Sequence, residues 1–346
     1  MTAPLSASAP PAAAPRQVRW LLRLHRPALC AWTVLVVGLA AALLWLGGPL
    51  TDASAAAWHQ FDTDPACQGP APCGYDQDAI LRYKDVYQYT TLAVLAVPFL
   101  VAAWSGAALT GREMETGTAR LAWTQGITPV RWLAARLGVP AVLVTAGTGL
   151  LVWLHHLAWS AGRGRIDSAE DWYGLTTFYA GGPLTVALAL AGLAGGALLG
   201  LVLGRSLVAL CGSVLTLAAL WTAVHLALPH LWPSATVTSG RRAYPEHSGI
   251  KTGEGIITAD GAHVPVPTCV SDARQACQTL NDRRHATGFW VDYHPYAHYG
   301  PLHLVGSALL LALAAVLTVA AFRLVHRRTT GRRPARARAT GPKTAV

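Results

Sequence analysis

The chain has 346 residues, of which 53% are hydrophobic and only 13% charged. Soluble domains carry about 25% charged residues, so this composition excludes an ordinary water-soluble protein and points to a membrane one. The formal net charge is +10, which raises nucleic acid as a partner until the placement of the charges is considered. Lys occurs only at Lys84, Lys251 and Lys343 and Asn only at Asn281, a bias that suggests a GC-rich bacterial genome.

Residues 1–28 form an N-terminal segment. Its first half is rich in Pro, Ala and Ser and is predicted disordered; its second half carries Arg16, Arg19, Arg23 and Arg26. The apolar run Leu29–Leu50 follows, long enough to cross roughly 30 Å of hydrocarbon. Ala53-Ser54-Ala55 resembles a signal-peptide cleavage site. The run is longer than a usual signal h-region and further spans follow, so a retained anchor is the better reading.

The 51–88 loop holds six Asp against Arg82 and Lys84, and DAILRYKDVYQY within it predicts a helix leading into a second span, Tyr89–Thr110. A polar segment, 111–136, separates this from a third span, Leu137–Ser160. The fourth span, Gly181–Gly204, places Gly192, Gly196, Gly200 and Gly204 four residues apart. On a helix these make a stripe without side chains, against which another backbone can pack closely; a neighbouring span and a second subunit are both open as the partner. Only Arg205 separates it from the fifth span, Ser206–Trp232.

Residues 233–300 are long enough for a small subdomain. There IITADGAHVPV sets β-prone residues on both sides of Asp260-Gly261, a hairpin signal. Ser271 is placed to cap a short helix running through Ala276 and Leu280. The run FWVDYHPYAHY reads as an interfacial aromatic belt at the start of the last span. That span is Pro301–Phe322, and a basic tail, 323–346, closes the chain. The predicted fold is therefore an all-α polytopic membrane protein with six transmembrane helices.

As drawn, the six spans contain no Asp, Glu, Lys or Arg. Alternating them across the bilayer puts 17 basic residues on the side of both termini and 10 on the other, although the latter side has the longer loops. The positive-inside rule then makes both termini cytoplasmic and the 233–300 subdomain extracytoplasmic. In that setting the tail reads as a topology anchor touching anionic lipid rather than a nucleic-acid arm. Cys30 and Cys211 fall within spans, as packing residues. Cys67 and Cys73 share one outer loop and Cys269 and Cys277 the other, which in an oxidising compartment predicts disulfides Cys67–Cys73 and Cys269–Cys277. A cross-loop pairing and a zinc site are the alternatives.

Nothing inside the spans suits a proton- or sodium-driven carrier, which places ionisable residues there. His155, His156, His225, His230 and His303 all fall near the outer ends of their spans, and with His294 and His298 they raise a metal or haem site as an alternative. The expectation is no metal, because interfacial His sits where the bilayer is already wet. The chain has no P-loop; SGIKTGEG is the nearest text and lacks the Gly-Lys-Thr core. No catalytic motif is present, so no enzymatic activity is expected, and any transport must draw its energy from another polypeptide on the cytoplasmic face.

The inner loop able to receive that energy is GREMETGTARLAWTQGITPVRWLAARL, residues 111–137. Gly117 is placed to break the inner extension of the second span and Thr118 to cap a short helix, about 119–125. Leu121 and Trp123 serve as its apolar contact face and Gly126 ends it. Thr128 caps the next helix with Pro129 in its first turn. The text resembles the permease subunit of type-2 ABC exporters, especially the actinobacterial branch, in Glu113, Glu115, Gly117, Thr118, the Leu121–Gly126 run, and Arg131, Trp132, Leu133, Arg136 and Leu137.

The resemblance implies that this loop is a coupling helix docking on a separate ABC ATPase subunit. Arg112, Glu113, Glu115, Gly117, Thr118, Leu121, Trp123, Gln125, Gly126 and Arg131 would be the docking residues. It further implies ATP and Mg on the partner subunit and no cofactor on this chain, a homodimer or a paralogous permease, and a bacterial plasma-membrane location. The long, cysteine-bearing outer loops depart from the family pattern, so no cargo follows from it. Outside transport, the alternatives are a His-ligated metal or haem protein and a disulfide-stabilised sensor.

Overall fold

A computed structural model describes residues 23, 26–69, 72–125, 127–167, 169–241, 243–265, 279 and 282–330. Six helices in it are long and apolar enough to cross a membrane. Helix α1 runs Arg26–Thr63 and α2 runs Gln77–Glu115, both well past the apolar limits drawn from sequence, because their polar flanks stay helical. After a short α3 (Thr118–Thr124) come α4 (Pro129–Gly162), a six-residue α5 (Leu175–Ala180), α6 (Leu184–Leu203), α7 (Ser206–Ala227) and α8 (Tyr299–Thr330).

Between α7 and α8 the chain forms a four-stranded sheet, so the expectation of an all-α fold is corrected. Strands β1 (Ala235–Gly240), β2 (Ile250–Thr258), β3 (His263–Pro265) and β4 (Ala286–His294) pair in the order β1-β4-β2-β3. Every pairing is antiparallel. The Asp260-Gly261 hairpin forms as expected, with Gly261 left-handed at φ 81° and the Thr258 N–H donating to Ala262 O at 3.0 Å. The FWVDYH portion of the expected aromatic belt instead lies in β4, one of the two inner strands. Trp290 and Val291 on it are both buried, and as neighbours on a strand they point to opposite faces, so the sheet is covered on both sides there. The Ser271 helix, the Cys269–Cys277 pair, the N-terminal segment before Arg23 and the tail beyond Thr330 lie outside the described residues. Cys67 and Cys73 form a disulfide.

Helix α6 is the most enclosed span and packs against α2, α4, α7 and α8. The glycine stripe explains how. A Cβ at Gly192 would meet Pro98 O at 3.0 Å and Ala102 Cβ at 3.1 Å. At Gly196 it would stand 2.5 Å from Ala102 O, and at Gly200 2.6 Å from Gly106 O. The stripe's partner is thus α2 of the same chain. Hydroxyls cross the seam, with Ser105 Oγ donating to Gly192 O at 3.3 Å and Thr110 Oγ1 to Ala197 O at 3.0 Å.

Gly204 does not belong to the stripe. It caps α6 in the left-handed region, φ 62°, with open space around its Cα, a position that favours glycine because it has no Cβ to clash.

Two helices carry π-helical turns, Leu46–Leu50 in α1 and Ser105–Gly111 in α2. Pro49 lies in the first, where its missing N–H breaks the α-helical ladder, and Thr51 Oγ1 donates to Leu46 O at 2.6 Å. The second sits where α2 runs between α6 and α7. There Gly106 and Gly111 bring the α2 backbone against Ala209 and Ser206.

Candidate coupling site

The 112–136 segment and the first residues of α7 meet at one end of the bundle, opposite the sheet. We call these the loop end and the sheet end. Helix α2 stops at Glu115 because Gly117 takes a left-handed φ of 75°. Just before it, the Thr116 N–H and Oγ1 both donate to Arg112 O, at 2.9 and 2.8 Å. Gly117 itself stands at the N-cap of α3, and its carbonyl accepts from the Arg120 N–H at 3.0 Å. Thr118 does not cap α3 as expected. It is already in the helix, and its hydroxyl donates back to Glu113 O at 3.4 Å. Thr128 does cap α4, its Oγ1 accepting from the Arg131 N–H at 3.4 Å with Pro129 in the first turn. Gly126 lies outside the described residues.

Leu121 and Trp123 were expected to share a contact face, and they do not. Residues two apart on an α-helix point about 200° from each other. Leu121 is 58% exposed, whereas Trp123 turns inward to meet the Trp132 ring edge-on at 5.7 Å. The outward surface of α3 and its flanks consists of Arg120, Leu121, Thr124, Gln125, Thr128, Val130 and Arg131, all exposed. Arg112 is exposed as well.

Both glutamates are engaged within the chain. Glu113 pairs with Arg136 at 2.5 Å, their side chains 14% and 4% exposed. Arg136 also stands over the Trp132 ring at 5.8 Å. The pair locks the end of α2 to the start of α4, with burial of both charges opposed by their mutual attraction. Glu115 reaches the first residue of α7: the Ser206 N–H and Oγ both donate to its Oε2, at 2.9 and 2.7 Å. Arg136, Trp132 and Ser206 were thus missing from the site expected from sequence. For Ser206, sequence had read the start of the fifth span there, and the helix does begin at that residue, but its contact with Glu115 joins segments 91 residues apart.

At the sheet end stand His155, His156, His294, His298 and His303, which sequence had grouped near the outer ends of the spans. His155 and Thr91 are hydrogen-bonded at 2.8 Å, and Tyr87 and Thr177 at 2.9 Å. His303 stacks on Phe178 at 4.2 Å and meets Tyr299 at 4.4 Å, while His156 lies against Trp159 and Tyr299. His294 and His298 face each other separately at 3.1 Å between their Nδ1 atoms. Among the described residues no three His, Cys, Asp or Glu side chains are grouped to hold a metal ion.

Six long apolar helices, closely packed through small residues, define a multi-pass α-helical membrane protein. The family described as ABC-2 membrane transporter related matches residues 33–229, more than half of the chain, and the protein belongs to it. No protein of curated function and no solved structure matches. Members of this family are membrane components of transporters and generally work with an ABC ATPase partner.

Proposed function

We propose that the chain is the permease subunit of an ATP-driven exporter, of the actinobacterial branch its loop text resembles, with no cofactor of its own. A separate ATPase subunit, carrying ATP and Mg, docks on the loop end, which is cytoplasmic together with both termini. The sheet of residues 233–300 is the extracytoplasmic subdomain. Two copies, or one copy and a paralogous permease, enclose the path, and the surrounding lipid is that of a bacterial plasma membrane. In this reading the chain is divided as drawn from sequence: N-terminal segment, spans with coupling loop 111–136, subdomain, last span and basic tail. Uncharged, Gly- and Leu-rich spans favour a lipophilic or amphipathic cargo.

The observation that carries the docking reading is α3 itself. It is a seven-residue helix between a left-handed glycine and a Thr-Pro cap, fixed from behind by the Trp123–Trp132 contact and the Glu113–Arg136 pair. In front it presents Arg120, Leu121, Thr124 and Gln125. A charged and polar segment held this firmly, with an exposed Leu at its centre, is arranged as an interaction surface.

The test is Leu121→Glu. Its side chain makes little contact within the chain, so folding is expected to change by no more than about 0.5 kcal/mol. Co-purification of the ATPase subunit from the native membrane should be lost. Retained ATPase binding in that variant, with Arg120→Glu added, rejects docking at α3.

A further inference from the structure

A loop that joins α2 to α4 would be expected to move those two helices alone. Three observations tie it to a third. First, Ser206 opens a 22-residue helix, whose first N–H groups have no partner within the helix. The structure supplies one from 91 residues away, as both the N–H and the hydroxyl of Ser206 donate to the Glu115 carboxylate. These are charge-assisted bonds, the stronger kind, and a carboxylate at a helix N-terminus is further favoured by the helix dipole.

Second, the backbones touch just behind that contact. A Cβ on Gly111 would lie 3.2 Å from Ser206 Cα and 3.4 Å from Ala209 Cβ, so this part of α2 can follow α7 as a packed unit. Third, Glu115 is the last residue of α2 before the left-handed Gly117. The carboxylate therefore sits at the hinge of α3, where a displacement of α3 arrives first.

We propose that Glu115 is the pin that transmits movement of α3 to α7, a positioning residue whose partner is the N-terminus of that helix rather than the ATPase. The inference rests on the docking reading above. Its asymmetry is chemical: Glu113 is committed to Arg136 and so to α4, while Glu115 is committed to α7, so one loop drives two helices through two separate carboxylates. The pin is exposed to solvent, which lets it release and re-form without burying a charge.

The experiment uses the full chain with its ATPase subunit in lipid nanodiscs. Nitroxides are carried on non-natural residues at Leu215 in α7 and Leu309 in α8, both of which face outward from the bundle. Addition of ATP and Mg should shift the Leu215–Leu309 distance distribution in the wild type. In Glu115→Ala the ATPase subunit should still co-purify and hydrolyse ATP, but the shift should be lost. Glu115→Gln keeps an oxygen that accepts from Ser206 and should restore part of it; Ser206→Ala keeps the backbone N–H and should be similarly intermediate.

A full shift in Glu115→Ala overturns the pin while leaving docking at α3 intact. A loss of shift in Glu115→Gln as complete as that in Glu115→Ala upholds the pin and assigns it to the carboxylate's charge at the helix N-terminus. Loss of ATPase binding in Glu115→Ala also overturns it, because the carboxylate would then belong to the docking surface.

Discussion

The two ends of the bundle are held together by different chemistry. At the loop end the helices are joined by charge: Glu113 to Arg136, Glu115 to Ser206, and Arg328, whose Nη1 donates to Leu201 O at 2.6 Å. At the sheet end they are joined by aromatic rings packed mostly edge-on, Trp172 against Tyr296 and Tyr299, and Tyr299 against Phe178 and His303. A buried pair such as Glu113–Arg136 is costly to break, because losing one partner leaves the other charge buried and unpaired. Losing one ring from the aromatic cluster leaves no charge unpaired, and an aromatic pair adds only about 0.5–1.5 kcal/mol beyond its buried area. The loop end is thus built for defined states and the sheet end for tolerant closure.

The sharpest way to break this contrast is Arg136→Met. It leaves Glu113 without its cation in a mostly buried site, with an expected loss of about 3–5 kcal/mol, read as a fall in the detergent melting temperature. Adding Glu113→Leu should recover much of that loss; if the double variant melts no higher than the single one, the pair is not what holds the loop end. Next in size is Gly196→Ala, whose methyl would stand 2.5 Å from Ala102 O. Overpacking of this kind costs about 1–3 kcal/mol, whereas Gly195→Ala, facing only Leu317 at 3.6 Å, should melt close to the wild type.

The sheet end should respond weakly to comparable changes. The hydroxyls of Tyr179 and Tyr299 are buried without a partner among the described residues. Removing such a group costs little or is stabilising, so Tyr179→Phe and Tyr299→Phe should shift stability by no more than about 0.5 kcal/mol. A loss of several degrees in either would show that these hydroxyls do structural work.

The smallest expected effect lies in the hairpin, where the Thr258 hydroxyl, donating at 2.5 Å, holds the Asp260 carboxyl below its ordinary range. A depressed carboxylate contributes stability above its unfolded pKa and loses it as pH falls through the folded value. The Gly261 amide, bonded to Thr258 O, should therefore lose protection relative to its intrinsic exchange rate only in acid, and Asp260→Asn should remove that loss of protection.

Much of this was legible in the chain. Span number followed from hydropathy, because a bilayer demands long uncharged runs. The hairpin followed from Asp260-Gly261, and the Gly192–Gly200 face from its four-residue period. What sequence could not give was anything requiring two distant segments at once. Nothing in the local text of Glu115 names Ser206, and the contacts that bring His156 and His303 onto Tyr299 depend on how α4 and α8 lie together. The pairing of Leu121 with Trp123 failed for a simpler reason: both are apolar, but helical geometry sends them to opposite sides. The sheet was half visible, since its β4 strand has the aromatic composition that marks an interfacial belt equally well.

The connection between α6 and α7 consists of Gly204 and Arg205 alone. Two residues span at most about 7 Å, so the two helices have to lie side by side with their joined ends at one depth. The pair forms one hairpin, with the left-handed glycine at its bend and a single arginine as the charge held back at the surface. Helix α2 precedes both in the chain, so the groove that receives the hairpin's glycines and the carboxylate that receives Ser206 are already made when it arrives.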